Sequence, residues 1–176
     1  MITKSVDAQR KGIKTIAELM VIAARTAPKA NAVDNLEIII VEGNEKDKLA
    51  EEMRRIGDEN GIDFIKRDGG NVDLAQVVVL FGTKIDPIDC PNCGFCGYKN
   101  CSENRIHGGI CAFNTGDLGI AIGSAVSVAA NHRCDNRVMF SVGKAALNLG
   151  YFDHDVRIAY GVPLSVSGKS PFYDRG

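Results

Sequence analysis

Four cysteines fall within the segment CPNCGFCGYKNC, residues 90–101. Two residues separate Cys90 from Cys93 and Cys93 from Cys96, four separate Cys96 from Cys101, and nine more lead to Cys111. Cys134 stands apart, with 22 residues between it and Cys111. Closely spaced thiols on short connections suit a polynuclear iron–sulfur cluster, because successive Cys-x2-Cys steps wrap one face of a cube. Gly94 and Gly97 let the backbone turn sharply and bring bare N–H groups towards sulfide. Zinc is the competing metal. A structural zinc site usually pairs two Cys-x2-Cys knuckles across a longer stretch. Here the second knuckle is missing, and only Cys111, Cys134 or His107 could complete a tetrad from outside the run. The spacing favours iron and sulfide over zinc, as a 4Fe-4S cluster. Five thiols compete for four places: the local set is Cys90, Cys93, Cys96 and Cys101, and the other exchanges Cys90 for Cys111.

The rest of the composition frames that loop. The 176 residues are 45% hydrophobic, 24% charged and 6% aromatic, enough for one domain with a real core. A net charge of −1 and no polybasic block argue against nucleic acid or an anionic membrane as partner. The opening MITKSVDAQRKG lacks a signal-peptide core and no apolar run is long enough to span a bilayer. The expectation is a cytoplasmic protein with reduced thiols, so six cysteines point to metal or redox chemistry before disulfides.

The elements that position the loop alternate between helix and strand. Residues 13–27 carry Ile13, Ile16, Leu19, Met20 and Ala23 at helical spacing, and Pro28 marks the exit. LEIIIVE, 36–42, and QVVVLFGT, 76–83, read as buried strands, with a charged helix over 45–60 between them. DGGN, 68–71, reads as a turn. After the cysteines, Asn114 or Thr115 is placed to cap a helix over GDLGIAIGSAVSVAANH, whose uncharged outer face predicts packing on all sides. RVMFSV, 137–142, reads as a strand, KAALNLG as a short helix, VRIAYGV, 156–162, as the last strand, and SGKSPFYDRG as a polar tail. The expected architecture is one α/β layered domain over residues 1–176, a mixed sheet flanked by helices, with residues 85–112 inserted as a cluster-binding loop.

Three resemblances sharpen this picture. CGFCGYKNC followed by Cys111 resembles a small iron–sulfur domain of electron-transfer subunits from anaerobes, written CGxCGYxxC and then a single Cys. That likeness implies Cys93, Cys96, Cys101 and Cys111 as ligands, with Cys90 a neighbour or alternative. Cys134 reads as a small core residue. TAPKANAVDNLEIIIVEGNEKDKLAEEM, DLGIAIGSAVSVAANHRCDNRVMFSVGKAALNLGYF and VRIAYGVPLSVSGKSPF resemble the nitroreductase family. That likeness implies FMN at the interface of a homodimer. The turn Pro28, Lys29, Ala30 and Asn31 would approach the flavin, Phe140 and Ser141 at a strand end would lie near its ring, and Lys169 would meet its phosphate. Where that family has an Arg-rich phosphate grip, this chain offers only Arg10 and Lys11. The whole layout resembles a family of small ferredoxin-domain proteins of anaerobic bacteria and archaea.

Other motifs carry less. GDLGIAIG lacks the strand context and spacing of a dinucleotide fingerprint, so close helix packing accounts better for its glycines. VGKAAL lacks the upstream glycines of a phosphate loop. His107, His132 and His154 are scattered, and no Ser-His-Asp or paired-carboxylate set is legible. The resulting expectation is a redox protein: an oxidoreductase moving electrons between the cluster and a flavin, a small acceptor or a redox partner protein. The rival expectations are an accessory electron-transfer module without flavin and a zinc-stabilised binding domain.

Overall fold

Along VVVLF the side chains alternate between two faces of a strand, and both faces are buried. Val77, Val79 and Phe81 enter one apolar core, Val78 and Leu80 the other. This strand is the middle of the molecule, as a continuous apolar run requires. The computed structural model describes residues 2–173; Met1 and the end of the polar tail, 174–176, lie outside it.

In chain order the elements are α1 (Ser5–Thr26), a 3-10 turn (Ala30–Ala32), β1 (Leu36–Val41), α2 (Gly43–Asn60), α3 (Asp63–Leu74), β2 (Val77–Lys84), α4 (Cys101–Ile106), α5 (Ala112–Asn131), β3 (Asp135–Asn136), α6 (Phe140–Asn148) and β4 (Val156–Ser165). The sheet order is β1-β2-β4-β3, and each pair is antiparallel. In register, Leu80 faces Ile39 on one side and Gly161 on the other. No helix among the described residues is long and apolar enough to cross a membrane.

Helices cover both faces. On one, α1 buries Ile13, Ala17, Met20 and Ala24, a stripe at helical spacing, and α5 buries Leu118, Ala121, Ile122 and Ala125. Ser124 Oγ donates to the Ala23 carbonyl at 2.9 Å and holds this helix pair together. On the other face, Leu49 and Met53 of α2, Ile65 and Val72 of α3, and Val142 and Ala145 of α6 pack over Val78, Leu80 and Ala159. This is the layered α/β arrangement that the alternation of strands and helices predicts, but the four-stranded sheet is antiparallel throughout instead of mixed.

Five local expectations change. DGGN is no turn: Asp68 to Asn71 lie within α3. Two helical glycines cost about 1 kcal/mol each relative to alanine. Gly69, however, lets α3 approach α2, since a Cβ there would stand 3.1 Å from the Ala50 carbonyl oxygen. RVMFSV is not a strand either. The chain pairs briefly at β3, bridges Met139 to Gly161, and turns into α6 at Phe140. The reason is tertiary: a Cβ on Gly143 would overlap the Ala159 backbone, so glycine alone lets α6 lie on β4. Helix α5 begins earlier than either predicted cap, with Cys111 at its N-cap. Its glycine-rich outer face is unpacked within the chain, for a Cβ on Gly116, Gly119 or Gly123 would meet nothing within 4 Å, and Ile120 is 49% exposed. The tail is also less polar in role than in composition, because Phe172 is buried in the α2/α3/α6 core and its carbonyl accepts from Arg137 at 2.9 Å.

The Gly143 contact gives a stability prediction. Gly143→Ala should destabilise the fold by about 2–3 kcal/mol, because overlap with backbone cannot be relieved by a rotamer change. Urea unfolding would read this as a lower midpoint with an unchanged slope.

Candidate metal centre

Helix α5 does more than pack: its first turn holds the base of the cysteine loop. Asn114 is buried, and its Nδ2 donates to the Lys84 carbonyl at 3.0 Å and the Asp86 carbonyl at 2.7 Å. Its Oδ1 accepts from Asn35 Nδ2 at 3.1 Å. The end of β2, the start of β1 and the start of α5 are thus tied at one point. The turn after α1 joins them, since the Ala30 N–H donates to Asp117 Oδ2 at 3.0 Å and Asn31 Nδ2 to the Ile88 carbonyl at 3.4 Å.

The far part of the loop is organised by α4. Asn100 caps it, its Oδ1 accepting from the Glu103 N–H at 2.9 Å, while Glu103 Oε2 accepts from the Lys99 N–H at 2.6 Å. The Arg105 guanidinium then reaches back to the loop entry. It makes a two-pronged bond to Asp89, at 2.8 and 2.7 Å, and donates to the Pro87 carbonyl at 2.8 Å. This pairing holds the Asp89 carboxyl below the usual aspartate range and raises the guanidinium. Between these anchors the backbone coils tightly. Asp89, Asn92, Gly94 and Gly97 all take left-handed φ, and Gly97, at φ 84°, closes a turn by donating to the Gly94 carbonyl at 3.0 Å.

The product is a cavity of about 210 Å³ whose walls include Cys90, Cys93, Cys96, Cys101 and Cys111. One water needs roughly 10–15 Å³ of such space, so the cavity admits a polyatomic guest. All six cysteines are unpaired thiols. Among the described residues, no three His, Cys, Asp or Glu side chains are disposed to hold a single metal ion. A lone zinc ion needs its sulfurs to converge to about 2.3 Å from one point. A cluster instead takes one thiolate on each of several irons and so needs them spread around its faces.

Backbone and side-chain donors already point at these sulfurs. The Phe95 N–H donates to Cys93 Sγ at 3.5 Å. The Tyr98 backbone N–H and the Asn104 amide hold the Cys96 thiol below its ordinary value. Such N–H contacts stabilise negative charge on cluster sulfur. Asn104 is fully buried; its Nδ2 also donates to the Ile110 carbonyl at 3.3 Å, and its Oδ1 has no partner. On these observations the residues fit an iron–sulfur cluster. Cys134 is elsewhere: it lies in the α1/α5 core, its Sγ donates to the Ser165 carbonyl at 3.7 Å, and burial pushes its thiol up to about 11. His107 stacks on Tyr98, with ring centroids 5.6 Å apart.

The residues expected near a flavin belong to separate elements. Pro28 is exposed after α1, and the Lys29 ammonium caps that helix, donating to the carbonyls of Ala24, Arg25 and Ala27 at 3.1, 2.7 and 2.8 Å. Phe140 opens α6 on the other face of the sheet, 53% exposed and 5.9 Å from Phe64. Ser141 is buried, its Oγ donating to Asp68 Oδ2 at 2.8 Å, so the hydroxyl ties α6 to α3. Lys169 lies in the exposed bend after β4. Arg10 and Lys11 belong to the start of α1, roughly 24 Å by helical rise from its C-terminal end.

Arg105 and Asn104 carry no signature of their own in the sequence, and Asn114 is legible there only as a candidate helix cap. The Asn100/Glu103 spacing is a capping signature that locates α4, and with it Arg105. Nothing local marks the bonds of Asn114, whose partners are Lys84 at the end of β2, Asp86 just beyond it and Asn35 just before β1.

Comparison with known proteins gives a family and a fold. Residues 107–175 match the family described as "Uncharacterized protein containing a ferredoxin domain (DUF2148)". Over 183 residues the chain is 42% identical to an "Uncharacterized protein" of Archaeoglobus fulgidus, covering 99% of this chain and 98% of the relative. Among solved structures it is similar to the nitroreductase CinD of Lactococcus lactis in complex with chloramphenicol, with 16% identity, 92% of this chain and 84% of that one covered, and a TM-score of 0.60. It is also similar to an oxidoreductase containing FMN, with 13% identity, 89% and 68% covered, and a TM-score of 0.61. At such identities these likenesses establish the nitroreductase-like fold.

The Arg105 fork yields the test of this geometry. Arg105→Met should accelerate amide hydrogen exchange at residues 86–90 while leaving β2 and α5 protected; equal protection in both proteins would refute the tether. Because the folded Asp89 value is depressed, the tether is complete above the ordinary aspartate value. It is lost as pH falls through the lowered one, so acid should loosen the same residues in the unmodified protein.

Proposed function

Since this chain belongs to the family of proteins described as containing a ferredoxin domain, we propose that it is an iron–sulfur redox protein, with residues 85–112 as the cluster-binding insertion of a single domain. The observation that carries this reading is the meeting of five thiols around one cavity. When bound, a 4Fe-4S cluster supplies reversible one-electron transfer. The chain's part is to hold and tune it. Cys93, Cys96 and Cys101 are the ligands from the loop, and Cys111 the ligand from the N-cap of α5. The Phe95 and Tyr98 N–H groups and the Asn104 amide favour negative charge on the sulfurs. Ile88, Pro91 and Phe113 limit water at the cavity wall, and the exposed Phe95 ring stacks on Phe113 with centroids 5.6 Å apart. Solvent access and hydrogen bonds to sulfur are the protein's means of setting a cluster potential.

The electrons would go to a small acceptor or a redox partner protein, making the chain an oxidoreductase or the electron-transfer part of one. A cytoplasmic setting suits its reduced thiols. The fold likeness supports FMN as a second cofactor held between two copies of the chain, with Pro28, Lys29, Asn31, Phe140, Ser141 and Lys169 as the candidate residues. The outer face of α5, with its bare glycines and Ile120, offers the surface for such a homodimer. A zinc-stabilised domain is less well supported, because the sequence lacks the second Cys-x2-Cys knuckle of a structural zinc site.

Protein purified without oxygen should be brown and contain iron and acid-labile sulfide. Zinc without iron would overturn the reading. Cys96→Ala should abolish the cluster, while Cys134→Ala should retain it at the parent's iron content. Flavin released by heat, counted per chain against oligomeric state, decides whether FMN completes the site.

A further inference from the structure

A 4Fe-4S cluster has about four irons to ligate, and the cavity offers five thiols. Three of them, Cys93, Cys96 and Cys101, lie along the coiled middle of the loop and at the start of α4. The remaining two come from opposite ends of the loop. Cys111 is 6% exposed, fixed at the N-cap of a 20-residue helix, where the positive end of the helix favours a negative ligand. Cys90 is half-buried and follows Asp89, which takes a left-handed φ of 55° and is held by the Arg105 fork. One end is a rigid helix start; the other is a tethered segment whose position depends on a surface-accessible ion pair.

Resting on the cluster reading above, we propose that Cys90 and Cys111 are interchangeable fourth ligands, so that the site has two coordination states. In the exchange, the iron–sulfur bond to Cys111 breaks as the bond to Cys90 forms. Cys90 loses its thiol proton, Cys111 gains one, and no electron moves. Cys111 coordination ties the cluster to α5 and the core. Cys90 coordination ties it to residues 86–90 and, through Arg105, to α4. The two states differ in the donors around one iron, and hence in its spectrum and potential.

The test uses the full chain, reconstituted with iron and sulfide under anaerobic conditions. Cys90→Ala and Cys111→Ala should each retain about four irons and four sulfides per chain, and the double variant should lose at least one iron. The reduced parent should give an EPR spectrum that is the sum of two components, each single variant keeping one. Retention of the full cluster by one single variant and its loss by the other would make the fourth ligand unique and overturn the proposal. So would a full cluster in the double variant. If Cys111→Ala does not fold, the parent and Cys90→Ala still decide: a one-component parent spectrum left unchanged by Cys90→Ala overturns exchange. A parent without iron would instead fail the cluster reading itself, a distinct result.

Discussion

A single buried amide, that of Asn114, joins the exit of β2 to the entry of α5 through two carbonyls and the Asn35 side chain. Everything between residues 85 and 111 hangs from that junction. Buried backbone carbonyls need partners, and at the end of a strand the neighbouring ladder no longer supplies them. Asn114 meets that need and, in doing so, fixes where Cys111 stands at the start of α5. The cysteine loop therefore inherits its rigidity from the core, although few of its own side chains are buried.

Within the loop, the order comes from polar contacts and turns. The Asn100 cap defines a short helix, that helix aims Arg105, and Arg105 returns the loop to its own beginning. Left-handed residues take up the tight coiling between these points. A loop built this way can turn its thiols towards one cavity without an apolar core of its own, which is the arrangement a cluster requires from its host.

The sheet and its two helical layers resemble the nitroreductase fold, yet the residues in this framework that would face a flavin serve other purposes in the single chain. Lys29 closes α1, Ser141 binds α3 to α6, and Asn31 is joined to the cysteine loop. The bare outer face of α5 lies on the layer that also begins at Cys111, so a second copy seated there would lie next to the loop.

Much of this was legible from the chain alone. Apolar runs located β1, β2 and β4, helical spacing located α1 and α2, and thiol spacing marked out the cysteine loop, because these signals are local and periodic. The sequence also separated Cys134 from the other five by distance, and burial in the core agrees with that reading. What it misplaced depended on contacts between distant segments. DGGN is helical because Gly69 meets the Ala50 carbonyl, and FSVGK is helical because Gly143 meets Ala159; no local propensity records either neighbour. That all five thiols share one cavity, and that Arg105 and Asn114 hold it, was likewise settled only by tertiary structure. Side chains far apart in sequence acquire a common target only after the sheet has fixed the two ends of the loop.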